Sequence, residues 1–199
     1  MATQYFTATS VDGYIADENN SLAWLFEADS DGAGDTSFAD FFAQVGAMAM
    51  GATTYLWVLE HEHLVEEPAK WRTYYGDTPC WVFTHRQLPF VPGAAVTFVQ
   101  GDVKPVHAKM VEAATGKNVW LAGGGELVGQ FADQGLLDEI FLTVAPATLG
   151  RGAPLLPRRL GPSDLELVDV ARDRQFAKLR YRVRRGRSEP AQAPSATHK

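Results

Sequence analysis

Strands alternate with helices along this chain until about residue 145, and then two strands follow one another. That order constrains the fold more than any other feature. Apolar runs at Gln4–Thr9, Ala47–Gly51, Cys80–Thr84, Val96–Val99, Val119–Ala122 and Glu139–Ala145 read as strands. Helices are expected from Ser37, with Asp40 completing a variant capping box, to Ala43 or Gly46. Further helices are expected from Thr53 or Thr54 to Leu59, over Pro105–Thr115 and over Glu126–Gln134. Alternation of this kind requires a mostly parallel sheet with helices on both faces. The last two runs, Leu165–Val170 and Phe176–Arg184, flank a turn near Asp173-Arg174 and predict an antiparallel hairpin at one edge. One domain over residues 1–185 and a disordered polar tail over 186–199 complete the organisation.

Charge is unevenly spread. Residues 1–147 carry 6 Lys/Arg and 19 Asp/Glu, a net of −13, whereas residues 148–199 carry 12 and 5, a net of +7. Mutual neutralisation within one fold explains this as well as a basic patch would. Arg180, Arg182 and Arg184 alternate with Tyr181 and Val183, the period of a strand with one wet face. No nucleic-acid-binding signature is present. The single cysteine, Cys80, precludes an internal disulfide. No basic-then-apolar leader opens the chain, and no run of 18 apolar residues offers a membrane span. A cytoplasmic protein with no membrane partner is the expectation. The five histidines form no metal-ligand pattern, and His61-Glu62-His63 read as a strand would split its imidazoles between two faces.

Three strand ends carry the chemistry. Val119–Phe131 (VWLAGGGELVGQF) is a strand, three glycines and a helix. Glycine lets backbone N–H groups approach an anion, and the helix start adds partial positive charge. The alternative is a tight strand-to-helix turn with no ligand. The Met50–Tyr55 segment (MGATTY) offers two hydroxyls at a helix start, for a phosphate or as ordinary caps. Thr84, His85 and Arg86 end a third strand, around a phosphate or simply in solvent. In an open α/β sheet ligands lie beyond the carboxyl ends of the strands, and a dinucleotide would use several of them.

The ordered set ATSVDGYIA at 8–16, MGATTY, VFTHR, AGGGEL and GLLDEIFLTVAPATLGRGAPLL resembles the dihydrofolate reductase-like superfamily. It is most similar to the branch holding the C-terminal reductase domain of riboflavin-biosynthesis proteins and their stand-alone bacterial relatives. The resemblance spans about residues 3–184. It implies an α/β/α fold on a central eight-stranded, mostly parallel sheet, with NADPH at the strand ends. Gly123, Gly124 and Gly125, with the N–H groups of Glu126 and Leu127, would take the pyrophosphate. Gly51, Thr53 and Thr54 would face phosphates, and Thr84, His85 and Arg86 would surround the adenosine 2′-phosphate. Ala8, Ile15 and Ala16 would lie along the nicotinamide, with the Asp12–Trp24 loop as a lid.

Three positions depart from the family's habit. Ala52 stands where an arginine often follows the glycine, so NADH is the alternative cofactor. Phe6 stands near where riboflavin reductases tend to carry a lysine. Asp40 is too close to Gly51 to match the acid of the folate enzymes. The expected activity is NAD(P)H-dependent reduction of a small heterocyclic, carbonyl or imine substrate, of the dihydrofolate or 5-amino-6-(5-phosphoribosylamino)uracil kind. A nucleotide-binding or cofactor-sensing module without turnover is the alternative. Asp12 is the leading candidate proton donor, ahead of Asp17 and Asp40, and Trp24 the candidate pocket wall. A homodimer contributed to by the late strands is expected.

Overall fold

In the computed structural model, residues 1–28 and 36–184 are described. The strands are β1 (Thr3–Thr9), β2 (Tyr14–Ala16), β3 (Val45–Gly51), β4 (Cys80–Phe83), β5 (Val96–Val99), β6 (Asn118–Gly123), β7 (Glu139–Val144), β8 (Ala153–Pro154), β9 (Leu165–Asp173) and β10 (Phe176–Val183). The helices are α1 (Ala23–Ala28), α2 (Thr36–Ala43), α3 (Ala52–His61), α4 (Ala69–Tyr75), α5 (Val103–Ala113) and α6 (Gly125–Asp133). Eight strands form one sheet in the order β5-β4-β3-β6-β1-β7-β10-β9. All its pairings are parallel except β7–β10 and β10–β9, so the late strands do form an antiparallel edge.

The central strands bury both faces, as their near-continuous apolar sequences require. Successive residues alternate between two cores. Tyr5, Ala47, Ala49, Val119 and Leu121 pack with Val106 and Met110 of α5 and Val128 and Phe131 of α6. Met48, Met50, Cys80, Val82 and Trp120 pack against Tyr55, Val58 and Leu59 of α3 and Trp71 of α4. Burial pushes the Cys80 thiol far above its ordinary pKa, which keeps it protonated and unreactive.

Several local expectations change. The Asp12–Ser21 stretch is not all loop: Tyr14–Ala16 pairs with Ala153–Pro154, two short strands with no apolar run of their own. Thr53 and Thr54 do not cap α3; Gly51 is its N-cap, with no side-chain capping bond. His61, Glu62 and His63 close α3 and its following turn rather than a strand. Among the described residues no group of His, Cys, Asp and Glu is placed to hold a metal. Helix α5 starts earlier than read, because the Asp102 carboxylate accepts from Lys104 N at 3.0 Å. The Ser37 cap and the polar tail lie outside the described residues.

The charge asymmetry resolves largely into ion pairs across the chain. Arg158 bonds Glu126 and Asp133, each at 2.7 Å, and Arg180 bonds Glu139 at 2.6 Å. Arg182 and Arg184 share Glu166. No helix among the described residues is long and apolar enough to cross a membrane.

One contact ties α5 to the sheet with no slack. A Cβ on Gly46 would overlap the backbone of Ala114 just past the end of α5. Gly46→Ala is expected to destabilise the fold by about 1–3 kcal/mol, as overpacking does. The measurement is a shift of the urea midpoint at unchanged slope.

Candidate active site

The site grows from two helix starts. Strand β3 ends at Gly51 and runs into α3; β6 ends at Gly123 and, through Gly124, runs into α6. Both N-caps, Gly51 and Gly124, are extended and neither helix has a capping side chain. A Cβ on Gly51 would lie 3.7 Å from Gly124 N and 3.8 Å from Gly123 O. Two uncapped helix starts therefore meet at neighbouring strand ends. In α6 Val128 N–H donates to Gly124 O at 3.2 Å, and the N–H groups before it have no intrahelical acceptor. Both dipoles favour negative charge at the same place.

The glycines are held there by packing. A Cβ on Gly125 would overlap Pro154 O and Leu155 O, so β8 lies directly against the first turn of α6. Gly123 has φ +119°, a conformation side chains rarely adopt, and its peptide bond to Gly124 is cis. Glu126 puts a carboxylate into this first turn, but Arg158 grips both its oxygens, at 2.7 and 3.0 Å, and holds its carboxyl below the usual range. The guanidinium lies where a Cβ on Gly129 would crowd it.

Two cavities flank the junction. The larger, about 480 Å³, is lined by Thr7, Ile15, Ala16, Thr53, Thr54, Trp57, Gly124, Gly125 and Glu126, with Ala153, Pro154 and Pro157 opposite. The smaller, about 220 Å³, is lined by Gly51, Thr84, His85, Gln100, Glu126, Leu127 and Gln130. Glu126 belongs to both, so they form the two arms of one cleft over the helix starts. A third cavity of about 330 Å³ lies beside β1. Phe6 and Ala8 line it while Thr7, between them, lines the large arm. Phe26 of this cavity stacks against Trp57 of the large arm, ring centroids 6.3 Å apart.

The residues named from the sequence are thus divided. Ile15, Ala16, Thr53, Thr54, Gly124, Gly125 and Glu126 share the large arm, and Gly51, Thr84, His85, Glu126 and Leu127 the small one. Gly123 is buried beside Thr54, 3.7 Å from its Oγ1 to an added Cβ. Ala8 turns into the third cavity. Arg86 is exposed; its N–H donates to Thr84 Oγ1 at 2.9 Å, and it lines neither arm. Trp24 sits in α1 with its indole N–H buried and unpartnered, and lines none of the three cavities.

Asp12 lies outside the cleft as well. Its carboxylate accepts from Ser10 Oγ at 2.6 Å, Leu149 N at 3.0 Å and Gly150 N at 2.7 Å. These bonds hold its pKa below the ordinary value, so it is ionised at neutral pH and acts as a clasp rather than a ready proton donor. Val11 N–H to Ala147 O, Leu155 N–H to Gly13 O and the β2–β8 pairing join the same two segments. The first half of the expected lid is therefore tied down. Asp17 caps its own turn, accepting from Asn19 N and Ser21 N, each at 2.8 Å. Asp40 is exposed on α2 and lines none of these cavities.

Sequence reasoning missed Trp57, Gln100, Gln130, Pro154 and Pro157. Each sits on an element whose own pattern reads as helix face or loop, and only packing turns it to the cleft. Donor chemistry, glycine clearance and two-armed shape fit a dinucleotide diphosphate at the junction, with a base or ring in each arm.

An open, mostly parallel eight-stranded sheet with an antiparallel C-terminal edge and a cleft at its strand ends defines a dihydrofolate reductase-like α/β domain. Within that class the chain belongs to the RibD C-terminal domain family, whose model matches residues 3–177. It is 32% identical over 179 residues to "Uncharacterized protein YwjB" of Bacillus subtilis (strain 168), covering 90% of this chain and 96% of the relative. Among solved structures it is similar to a protein of Shewanella sp. PV-4 described as "Putative riboflavin biosynthesis protein", with a TM-score of 0.74, 25% identity, and 92% and 99% of the two chains covered. It shares its fold with RibD of Acinetobacter baumannii at TM-score 0.64 and 18% identity, covering 92% of this chain and 58% of that one. The family is one of reductase domains.

The Asp12 clasp sets an acid dependence. The folded pKa is depressed below the model value of 3.8, so its contribution is present above about pH 4 and fades as pH falls through the folded value. Asp12→Asn is expected to lower the thermal midpoint at pH 7. The gap to the natural protein should close as pH drops below about 4, read by calorimetry across that range.

Proposed function

We propose that this protein is an NAD(P)H-dependent reductase that delivers a hydride to a small ring, carbonyl or imine substrate. The observation that carries the reading is the meeting of two uncapped helix starts at Gly51 and Gly123–Gly124, between the two arms of one cleft. A diphosphate there would bond the α6 N–H groups of Gly125, Glu126 and Leu127, and face Thr53 and Thr54 on α3. The small arm, with Thr84, His85, Gln100 and Gln130, would take the adenosine end. Arg86, exposed at its rim, is the nearest place from which a cation would reach a 2′-phosphate. The nicotinamide end would lie in the large arm between Ile15, Ala16 and Trp57, toward β1. The third cavity, beyond Ala8, would hold the acceptor.

When bound, the reduced nicotinamide supplies the hydride. The chain's part is to align the two rings and exclude water. Trp57 and the β2–β8 pair wall the large arm, and the Asp12 clasp keeps that wall in place.

A second reading, nucleotide binding without turnover, draws support from the third cavity's chemistry. Its one carboxylate among the described lining residues, Asp173, is held below the usual range by Lys178. Steady NADPH oxidation with any acceptor removes that reading. NADPH titration followed by tryptophan quenching tests the first, and saturable binding is expected. No saturation up to millimolar nucleotide would overturn it. Arg86→Ala is expected to weaken NADPH about tenfold and NADH by less than about twofold.

A homodimer is part of the same proposal. The edge strand β9 exposes Leu167, Val168 and Val170, a row of apolar side chains beside unpaired backbone groups. Light scattering at micromolar concentration is expected to give twice the chain mass; a monomer mass would refute pairing.

A further inference from the structure

The walls of the third cavity select a kind of acceptor. Its sides are aromatic: Phe6 from β1, Phe26 from α1, Phe38 from α2 and Phe176 from β10. Phe6 and Phe38 stand 5.6 Å apart at 59°, and Phe176 is buried, so these faces are fixed by the core. Flat apolar faces reward a flat apolar ring. Thr143 on β7, beside Ala8 in the parallel register, supplies a neutral hydroxyl.

Charge is confined to one corner and is already matched. Asp173 meets Lys178 Nζ at 2.8 Å and Arg174 Nε at 3.6 Å. A phosphate entering there would have to compete with an anion already seated between the two cations. The same pairing keeps Asp173 ionised, so the cavity offers no carboxylic acid to protonate an acceptor. An acceptor used here must be electrophilic without help from a protein acid.

We propose that the acceptor is a flat, uncharged bicyclic ring with a conjugated C=N or C=O bond, and not a ribosyl-phosphate-bearing pyrimidine. This rests on the reductase reading above. The acceptor carbon gains the hydride that the reduced nicotinamide supplies. The π pair of the double bond moves to its nitrogen or oxygen, which takes a proton from water, leaving the nicotinamide oxidised.

Calorimetry on the full chain loaded with NADP+, a state that cannot turn over, tests it with three probes. They are 3-methylquinoxalin-2-one, uridine and uridine 5′-monophosphate. The quinoxalinone is expected to bind at least about tenfold more tightly than either pyrimidine. Adding the phosphate to uridine is expected to bring no gain. Phe26→Ala, which removes a ring 48% exposed at the mouth and so leaves the core intact, should weaken the quinoxalinone about tenfold. Thr143→Val should weaken it less. Tighter binding of the monophosphate than of both other probes overturns the proposal. So does no quinoxalinone binding up to millimolar, or binding indifferent to Phe26→Ala. If NADP+ and NADPH fail to bind, the reductase reading falls separately. The same three titrations on nucleotide-free protein then decide what the cavity accepts.

Discussion

Everything at the cleft depends on how closely two backbone segments approach one another. Gly51 and the Gly123–Gly124 pair sit at the carboxyl ends of adjacent parallel strands, with nothing but hydrogen between them. Any side chain at the junction would fill the space above two helix starts. Without one, the N–H groups of α6 and the first turn of α3 are left facing the same few ångströms of solvent. Parallel pairing of β3 with β6 puts both helix starts on one end of the sheet, and the two dipoles then add. The anion site is a property of the backbone, and the surrounding side chains shape its arms.

The segments around that junction are held by polar clasps rather than by core. Asp12 binds the 149–150 backbone, Asp17 closes its own turn, and Arg158 grips α6 at Glu126 and Asp133. This explains the opposite charges of the chain's two parts. The basic C-terminal portion returns to the acidic N-terminal portion and supplies cations to carboxylates on α6 and β7. Arg158 has a further consequence, because it draws the Glu126 carboxylate aside from the place where a diphosphate would otherwise meet it. The arginines of β10 and its end are paired in the same way, with Glu139 and Glu166.

The tight tie between residues 10–16 and 147–155 also limits what can move. A loop clasped by backbone bonds, a short strand pair and a charged acceptor behaves as part of the sheet's rim. Motion over the cleft is left to the later part of the segment, where α1 leans on α3 through Phe26, His61 and Trp57. Those rings also separate the large arm from the aromatic cavity beside β1.

The sequence by itself determined the sheet's composition and its handed order of strands and helices. Apolar runs bounded by Gly, Pro and Asp leave few alternatives to a parallel sheet with a late hairpin, and every strand of the main sheet was legible this way. It also determined the anion junction, since three glycines between strand and helix have few other uses. Short elements were not legible: β2 and β8 hold three and two residues and exist only because they pair with each other. Nor was the fate of Asp12, whose spacing suits a donor but whose bonding partners lie more than 130 positions away. Which faces of α1, α2 and β10 converge into an aromatic cavity was settled in three dimensions alone. Local pattern specifies which face of an element is apolar, but the partner that face meets is fixed by distant segments, and only the folded chain brings those together.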